Sequence, residues 1–188
     1  PVHHTNEIAQ TEAVTGKQFS QTWVHANHIK VDSTKMSKSL GNIYTLQDIL
    51  DRGYSLEAFK LMILSKHYRT EGNFTWEILE SYQNKIKKWQ NVAETRWQTT
   101  NPNPIPKNMS EITKGTSDII FGIKSALQMD LKTNAVIEWT DMHLTNIEQY
   151  VAQGMLDHPE IHDLHVFLEE LRSLTGIDIL KSTPNITG

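Results

Sequence analysis

Apolar residues recur every three or four positions over most of the chain, and this spacing predicts a mainly α protein. The clearest stripe, over about 76–97, consists of Trp76, Leu79, Tyr82, Ile86, Trp89, Ala93 and Trp97. Similar stripes predict further helices over about 3–15, 111–129, 133–152 and 159–175. The long helix and the three that follow it are expected to form a small antiparallel bundle.

One segment of the first half is predicted to be extended instead. Ile29 and Val31 alternate around Lys30, and turn-forming residues follow at 32–34. The next residues, Lys35–Asn42, are short and polar and are predicted to be a loop. Side-chain oxygens suited to cap the helices after them are carried by Thr45, Ser55 and Thr75.

Three prolines mark the clearest boundary in the chain. Pro102, Pro104 and Pro106 occupy every second position, which is incompatible with a continuous helix and predicts a linker over 98–110. This boundary, with a second one near residue 50, divides the chain into the regions 1–50, 51–97, 98–110 and 111–188.

Composition narrows the possible classes of function. The 188 residues include no cysteine, which excludes disulfides, cysteine-ligated metal and a cysteine nucleophile within this chain. The net charge of −4 argues against binding to nucleic acid through bulk positive charge. We expect a cytoplasmic protein without a membrane span, because the longest apolar run is far too short for one.

The loop contains the strongest candidate for chemistry, Lys35-Met36-Ser37-Lys38-Ser39. Two ammonium groups three residues apart, with hydroxyl groups near them, can donate hydrogen bonds to the oxygens of a polyphosphate. Such donors matter most when negative charge builds up on a departing pyrophosphate. The alternative is an ordinary solvated basic turn, but the complete five-residue string between a strand and a helix favours a phosphate site.

A second candidate lies at the N-terminus. His3 and Glu7 are four residues apart and project from one face of the predicted helix. An imidazole and a carboxylate are suitable zinc ligands, although two ligands cannot close a site that needs four. A surface hydrogen bond between the two side chains is the alternative.

The two candidates together resemble a known family. His3-His4-Thr5-Asn6-Glu7-Ile8-Ala9-Gln10, followed by Lys35–Asn42 and then His67-Tyr68-Arg69, is similar to cysteinyl-tRNA synthetases, which are class I aminoacyl-tRNA synthetases. The resemblance implies activation of cysteine by ATP with Mg²⁺ and transfer to tRNA(Cys). It also implies a monomer with Zn²⁺ held by His3, Glu7 and two cysteines, and ATP contacts from Lys35 and Lys38 in a loop that includes Met36, Ser37 and Ser39.

The resemblance gives the regions their expected roles. Residues 1–50 correspond to the end of a Rossmann-type catalytic domain, 51–97 to a connecting helical region, and 111–188 to an anticodon-side bundle. Both cysteine ligands would lie upstream of His3, so we expect the C-terminal portion of a longer enzyme that is inactive alone. The alternatives are the cysteine ligase of mycothiol synthesis and a non-catalytic helical interaction module.

Other polar residues are interpreted as structural. Lys85, Lys87 and Lys88 are expected on a solvated face of the long helix. Histidines beside apolar positions are interpreted as packing or surface residues rather than a site: His143, His158, His162 and His165.

Overall fold

The computed structural model describes residues 2–95, 109–153 and 158–180. Within these ranges the protein has seven α-helices and one pair of short strands. In chain order they are α1 (Val2–Thr15), β1 (Ile29–Val31), α2 (Leu46–Asp51), α3 (Leu56–Leu64), β2 (Gly72–Phe74), α4 (Trp76–Glu94), α5 (Met109–Gln128), α6 (Thr133–Ala152) and α7 (His158–Thr175). The mainly α prediction is confirmed.

Some predicted features fall where the structure gives no description. Trp97 and most of the predicted linker 98–110 lie outside the described residues, and its last two positions already belong to α5. The side chains of His158 and His162 also lie outside the described part.

The three predicted caps are confirmed. Thr45 and Asp48 form a reciprocal capping box at the start of α2, and the hydrogen bonds from Thr45 hold the pKa of the Asp48 carboxyl below its ordinary value. The side-chain oxygens of Ser55 and Thr75 accept backbone N–H bonds at the starts of α3 and α4. Each cap satisfies a donor that has no partner within its helix, so these helix starts are encoded locally.

The strand prediction was only partly correct. β1 pairs in parallel with β2, with Ile29 opposite Gly72 and Val31 opposite Phe74. β2 was not predicted, because Gly-Asn-Phe is too short to show a period of two. The pair fixes the entrance to the lysine-containing loop, since β1 leads directly into it.

Helix packing forms the core around α4. This helix packs on α3 and also contacts α6 and α7, while α5 contacts α6 and α7. The side chains that are fully buried in this helical core are Leu79, Ile86, Trp89, Ile123, Leu144, Ile147, Leu164, Phe167, Leu168 and Leu171. The stripes identified in the sequence are therefore core-packing stripes. None of the helices in the described ranges combines the length and apolarity needed to cross a bilayer.

Two lysines of α4 form ion pairs with acidic residues of α6. The Nζ of Lys85 lies 2.8 Å from the Asp141 carboxylate, and that of Lys88 lies 3.3 Å from Glu148, both on α6. Burial opposes ionisation of Asp141, but hydrogen bonds from Lys85 and from the Trp89 indole outweigh it and lower its pKa. The solvated-face interpretation is confirmed for Lys88, which is exposed in a surface ion pair. Lys85 departs from it, because this lysine is half-buried beside Asp141.

His143 is a packing residue, as interpreted from the sequence. Its ring lies 4.6 Å from that of Phe167, and its Nε2 lies 3.4 Å from the Thr116 hydroxyl. Burial lowers the pKa of His143 to about 4, from an ordinary value of 6.5. The folded protein therefore holds this imidazole neutral.

This burial predicts a pH-dependent loss of stability. Between about pH 6.5 and pH 4 the unfolded chain binds a proton at His143 that the folded chain does not, so stability falls with falling pH. The difference amounts to roughly 3 kcal/mol at pH 4. Urea unfolding across this range measures it. We expect His143→Leu to remove that part of the slope, and replacement of the exposed His165 by glutamine to leave it in place. An unchanged slope in His143→Leu would contradict the assignment.

A close approach of α5 and α6 gives a second stability prediction. A methyl group added at Gly122 would lie 2.5 Å from Cζ3 of Trp139, whereas one added at Gly115 would meet no described atom within 4 Å. Gly122→Ala is expected to destabilise the protein by about 1–3 kcal/mol through overpacking. Gly115→Ala, in the same helix, is expected to stabilise it by about 0.5–1 kcal/mol. Thermal unfolding of both variants checks the sign difference, and equal shifts would contradict the close approach.

Candidate phosphate-binding loop

The lysine loop, residues 35–42, is entered through a strained turn. Asp32 and Ser33 follow β1 with φ of 48° and 60°, a left-handed conformation that is uncommon for residues other than glycine. Two hydrogen bonds to the β2 segment hold this turn: Asp32 N to Phe74 O at 3.0 Å, and Ser33 N to the Asn73 side-chain oxygen at 2.8 Å. The sheet therefore fixes the direction in which the chain leaves it.

Asn42 braces the loop from within. Its side-chain oxygen accepts a hydrogen bond from Ser37 N at 2.8 Å, and its amide nitrogen donates to Thr34 Oγ1 and Lys35 O at 3.1 and 3.2 Å. Between Ser37 and Asn42 the chain forms a short 3-10 turn, Lys38–Leu40, which ends at Gly41 with φ of 63°. These contacts give the predicted loop a defined backbone.

The loop presents accessible polar side chains beside the exposed apolar side chains of Met36 and Leu40. Lys35 and Lys38 are exposed, and among the described residues neither ammonium group has an ion-pair or hydrogen-bond partner. By contrast, Lys30 in the adjacent strand is paired with Glu71 at 2.9 Å. The hydroxyls of Ser37 and Ser39 lie 2.6 Å apart. The loop therefore presents two uncompensated positive charges and a pair of hydroxyls to solvent, a set of donors suited to phosphate oxygens.

Met36 connects the loop to the core. It lines a cavity of about 140 Å³ whose other walls include Tyr44, Ile49, Phe59 and Phe74. Met36 contributes to this cavity wall and is also 41% exposed, and the nearby Lys35 and Lys38 are exposed as well.

The structure is less informative about the predicted zinc ligands. Positions 3 and 7 both lie on α1 and Glu7 is exposed, but the side chain of His3 lies outside the described residues. His4 Nδ1 approaches the Glu7 carboxylate at 3.6 Å, and its ring packs against Trp23 and His25. No three His, Asp or Glu side chains of the described residues are placed to hold a metal ion together. Glu7 has a donor type that zinc accepts, but this part of the chain does not complete a site.

The described contacts do not connect the predicted zinc ligands to the lysine loop. Among the residues that the structure describes, no hydrogen bond or ion pair links α1 to the lysine loop. Sequence reasoning missed the bracing roles of Asn42 and Asn73, whose amides hold the loop and its turn. Asn42 directly follows a left-handed glycine, which is a local signal for a turn, but its partners five to eight residues away are visible only in the structure.

Comparison with known proteins places these features in a family context. Residues 1–84 match the family described as "tRNA synthetases class I (C) catalytic domain". The cysteine–tRNA ligase of Chlamydia felis is 32% identical over 187 residues, or 98% of this chain and 38% of the relative. That of Chlamydia pneumoniae is 36% identical over 188 residues, covering 99% of this chain and 36% of the relative.

A third relative matches at higher identity over a shorter stretch. The cysteine–tRNA ligase of Protochlamydia amoebophila is 48% identical over 86 residues, which are 46% of this chain and 18% of the relative. The chain thus spans less than two fifths of the length of these three relatives.

Proposed function

The chain belongs to the cysteinyl-tRNA synthetase family of class I, and from this premise we propose that it supplies the phosphate-binding loop and the tRNA-side helices of a cysteine–tRNA ligase. The proposal is carried by Lys35 and Lys38, which are exposed and have no ion-pair partner among the described residues. They lie on a loop held by Asn42, within the segment that matches the catalytic domain. The relatives described above do not favour the mycothiol-pathway alternative.

The proposed reaction begins with attack of the cysteine carboxylate on the α-phosphorus of ATP. The bond from that phosphorus to the bridging oxygen breaks, and pyrophosphate leaves with the charge that develops on it. Lys35 and Lys38 would neutralise this charge, with the hydroxyls of Ser37 and Ser39 as further donors. Because the backbone is already fixed by Asn42, the loop can offer these donors without a large reorganisation cost.

The cysteinyl group would then pass from the adenylate to a terminal hydroxyl of tRNA(Cys), with release of AMP. The tRNA-side role is assigned to residues 111–188, as an antiparallel bundle, with 51–97 as the connecting helices and 98–110 as the linker. The family match ends within α4 and leaves residues 111–188 outside the catalytic domain, which supports the separate last region. It runs past residue 50 and includes residues 51–84, so it supports no boundary near residue 50.

The proposed function involves two metal ions, Mg²⁺ and Zn²⁺. Mg²⁺ bound with ATP adds charge neutralisation at the phosphates. Positions 3 and 7 of α1 would provide two of the four ligands of a zinc ion, which selects a substrate thiolate over a hydroxyl. His3 and Glu7 would need cysteine donors that this chain does not contain. We therefore expect substoichiometric zinc in the isolated chain, and elemental analysis after chelator-free purification measures it.

The test of the proposed function is a chimeric enzyme. In it, this chain replaces the matching part of the Chlamydia felis ligase, the 187 aligned residues. We expect the chimeric enzyme to attach labelled cysteine to tRNA(Cys), and the isolated chain, which covers 38% of that relative, to attach none. A folded chimera without charging activity would contradict the proposal. Charging by the isolated chain would contradict its assignment as one part of the site.

A further inference from the structure

Three consecutive side chains after α3 converge on a single residue of the bundle. His67 Nε2 lies 2.8 Å from the backbone oxygen of Asp130, and the Tyr68 hydroxyl donates to the Asp130 carboxylate at 2.6 Å. Arg69 donates to the same carboxylate oxygen at 3.1 Å and to the Tyr68 hydroxyl at 2.9 Å. These four residues form what we call the Asp130 clamp.

The turn that carries Asp130 is itself strained. Asp130 and Leu131 connect α5 to α6 with φ of 62° and 52°, which few residues other than glycine adopt. A strained conformation persists only where surrounding contacts determine it, and such positions are enriched at functional sites. Thr133, at the start of α6, adds a further tie by donating to Lys66 O at 3.2 Å.

The other side of the clamp holds the strand that leads to the lysine loop. Asn27 N donates to Tyr68 O at 2.7 Å, and the Asn27 side-chain amide donates to Arg69 O at 3.1 Å. Two residues later β1 begins, and it pairs with β2, which begins three residues after Arg69. The segment 67–74 is thus bonded to the bundle through its side chains and to the β1 strand through its backbone.

From this continuity we infer that Asp130 is a positioning residue for the lysine loop: the bundle fixes the β1–β2 pair, and hence where Lys35 and Lys38 stand, through the Asp130 clamp. The inference rests on the proposed function only where it assigns phosphate binding to Lys35 and Lys38. The mechanical link from Asp130 to the loop is independent of any ligand.

A second acidic residue shows why the clamp is distinctive. Asp141 also joins elements of the helical part, accepting from Lys85 at 2.8 Å and from the Trp89 indole at 2.9 Å. Its partners are all on α4, and none of these hydrogen bonds leads to β1 or β2. Asp141 therefore provides a matched control: an acidic residue with two side-chain partners and no connection to the loop.

Hydrogen exchange of the unliganded chain tests the inference. Asp130→Gly removes the carboxylate and suits the left-handed backbone, so the turn itself is retained. We expect the amides of residues 29–31 and of Ser37 to exchange about tenfold faster or more, because their local opening becomes easier. Asp130→Asn, which keeps an acceptor for Tyr68, should restore slow exchange. Asp141→Ala should leave the exchange rates of these amides unchanged, with the amides of α7 as the internal reference.

Each outcome is decisive. Equal acceleration in Asp130→Gly and Asp141→Ala, or acceleration in neither, overturns the inference. The chimeric enzyme separates this result from the proposed function. If the loop amides respond to Asp130→Gly but the Lys38→Ala chimera reacts normally, the clamp stands and the assigned use of the loop fails. If Lys38→Ala abolishes activity while Asp130→Gly leaves loop exchange unchanged, the positioning role alone fails.

Discussion

Replacing Lys38 by alanine in the chimeric enzyme is expected to slow cysteine-dependent ATP–pyrophosphate exchange by about 100- to 1,000-fold, the usual cost of removing one preorganised donor from a developing charge. This corresponds to about 3–4 kcal/mol of lost transition-state stabilisation. The reason is that the Lys38 ammonium is exposed and unpaired among the described residues, so nothing in this region competes with a phosphate for it. The effect should fall mainly on kcat.

The control is a lysine from the neighbouring strand. Lys30 is less exposed than Lys38, with 41% of its side chain accessible, and it is already paired with Glu71. We expect Lys30→Ala to change the exchange rate by no more than about twofold, because an exposed ion pair contributes little. If Lys38→Ala retained the parent rate, or Lys30→Ala lost as much, the phosphate-binding role of the loop would be wrong.

Replacing Trp89 by alanine is expected to cost about 3–5 kcal/mol of unfolding free energy, the range for truncating a buried tryptophan. Trp89 is 1% exposed, lies in the C-terminal half of α4, and donates from its indole nitrogen to Asp141 at 2.9 Å. The substitution leaves a large cavity between α4 and its neighbours and also removes a partner from a partly buried carboxylate. Urea unfolding followed by far-ultraviolet circular dichroism measures the loss.

Two companion variants make the stability result interpretable. Lys87→Ala on the exposed side of the same helix is expected to change stability by less than about 0.5 kcal/mol. Trp89→Phe keeps an aromatic ring but removes the indole donor, and its loss should fall between those of the other two variants. A loss below about 1 kcal/mol for Trp89→Ala would contradict the central place of α4 in the core.

The helices were predictable because their signals are local. Thr45, Ser55 and Thr75 cap the helices that follow them, and the apolar stripe of α4 recurs at the spacing of helical turns. A cap and a stripe depend only on residues within a few positions of each other, so their physical chemistry is present in the sequence itself.

The contacts that position the candidate site depend on long separations and were not predictable. Ser33 and Asn73 are forty residues apart, and Tyr68 and Asp130 are sixty-two apart. Asp130 carries no sequence signal beyond its place in a turn between two helical stripes. The five-residue string identified the chemistry of the loop, whereas the Asp130 clamp and the β1–β2 pair became visible only when the chain was folded.

Lysine acetylation footprinting of the chimeric enzyme tests the central claim most directly. The rate of modification at each lysine is followed by mass spectrometry, with and without ATP and cysteine. We predict that the two substrates slow modification of Lys35 and Lys38 and leave Lys30 and Lys87 unchanged. Equal modification of Lys35 and Lys38 with and without substrates, in an enzyme that still forms cysteinyl-adenylate, would contradict the claim that this loop binds the phosphates.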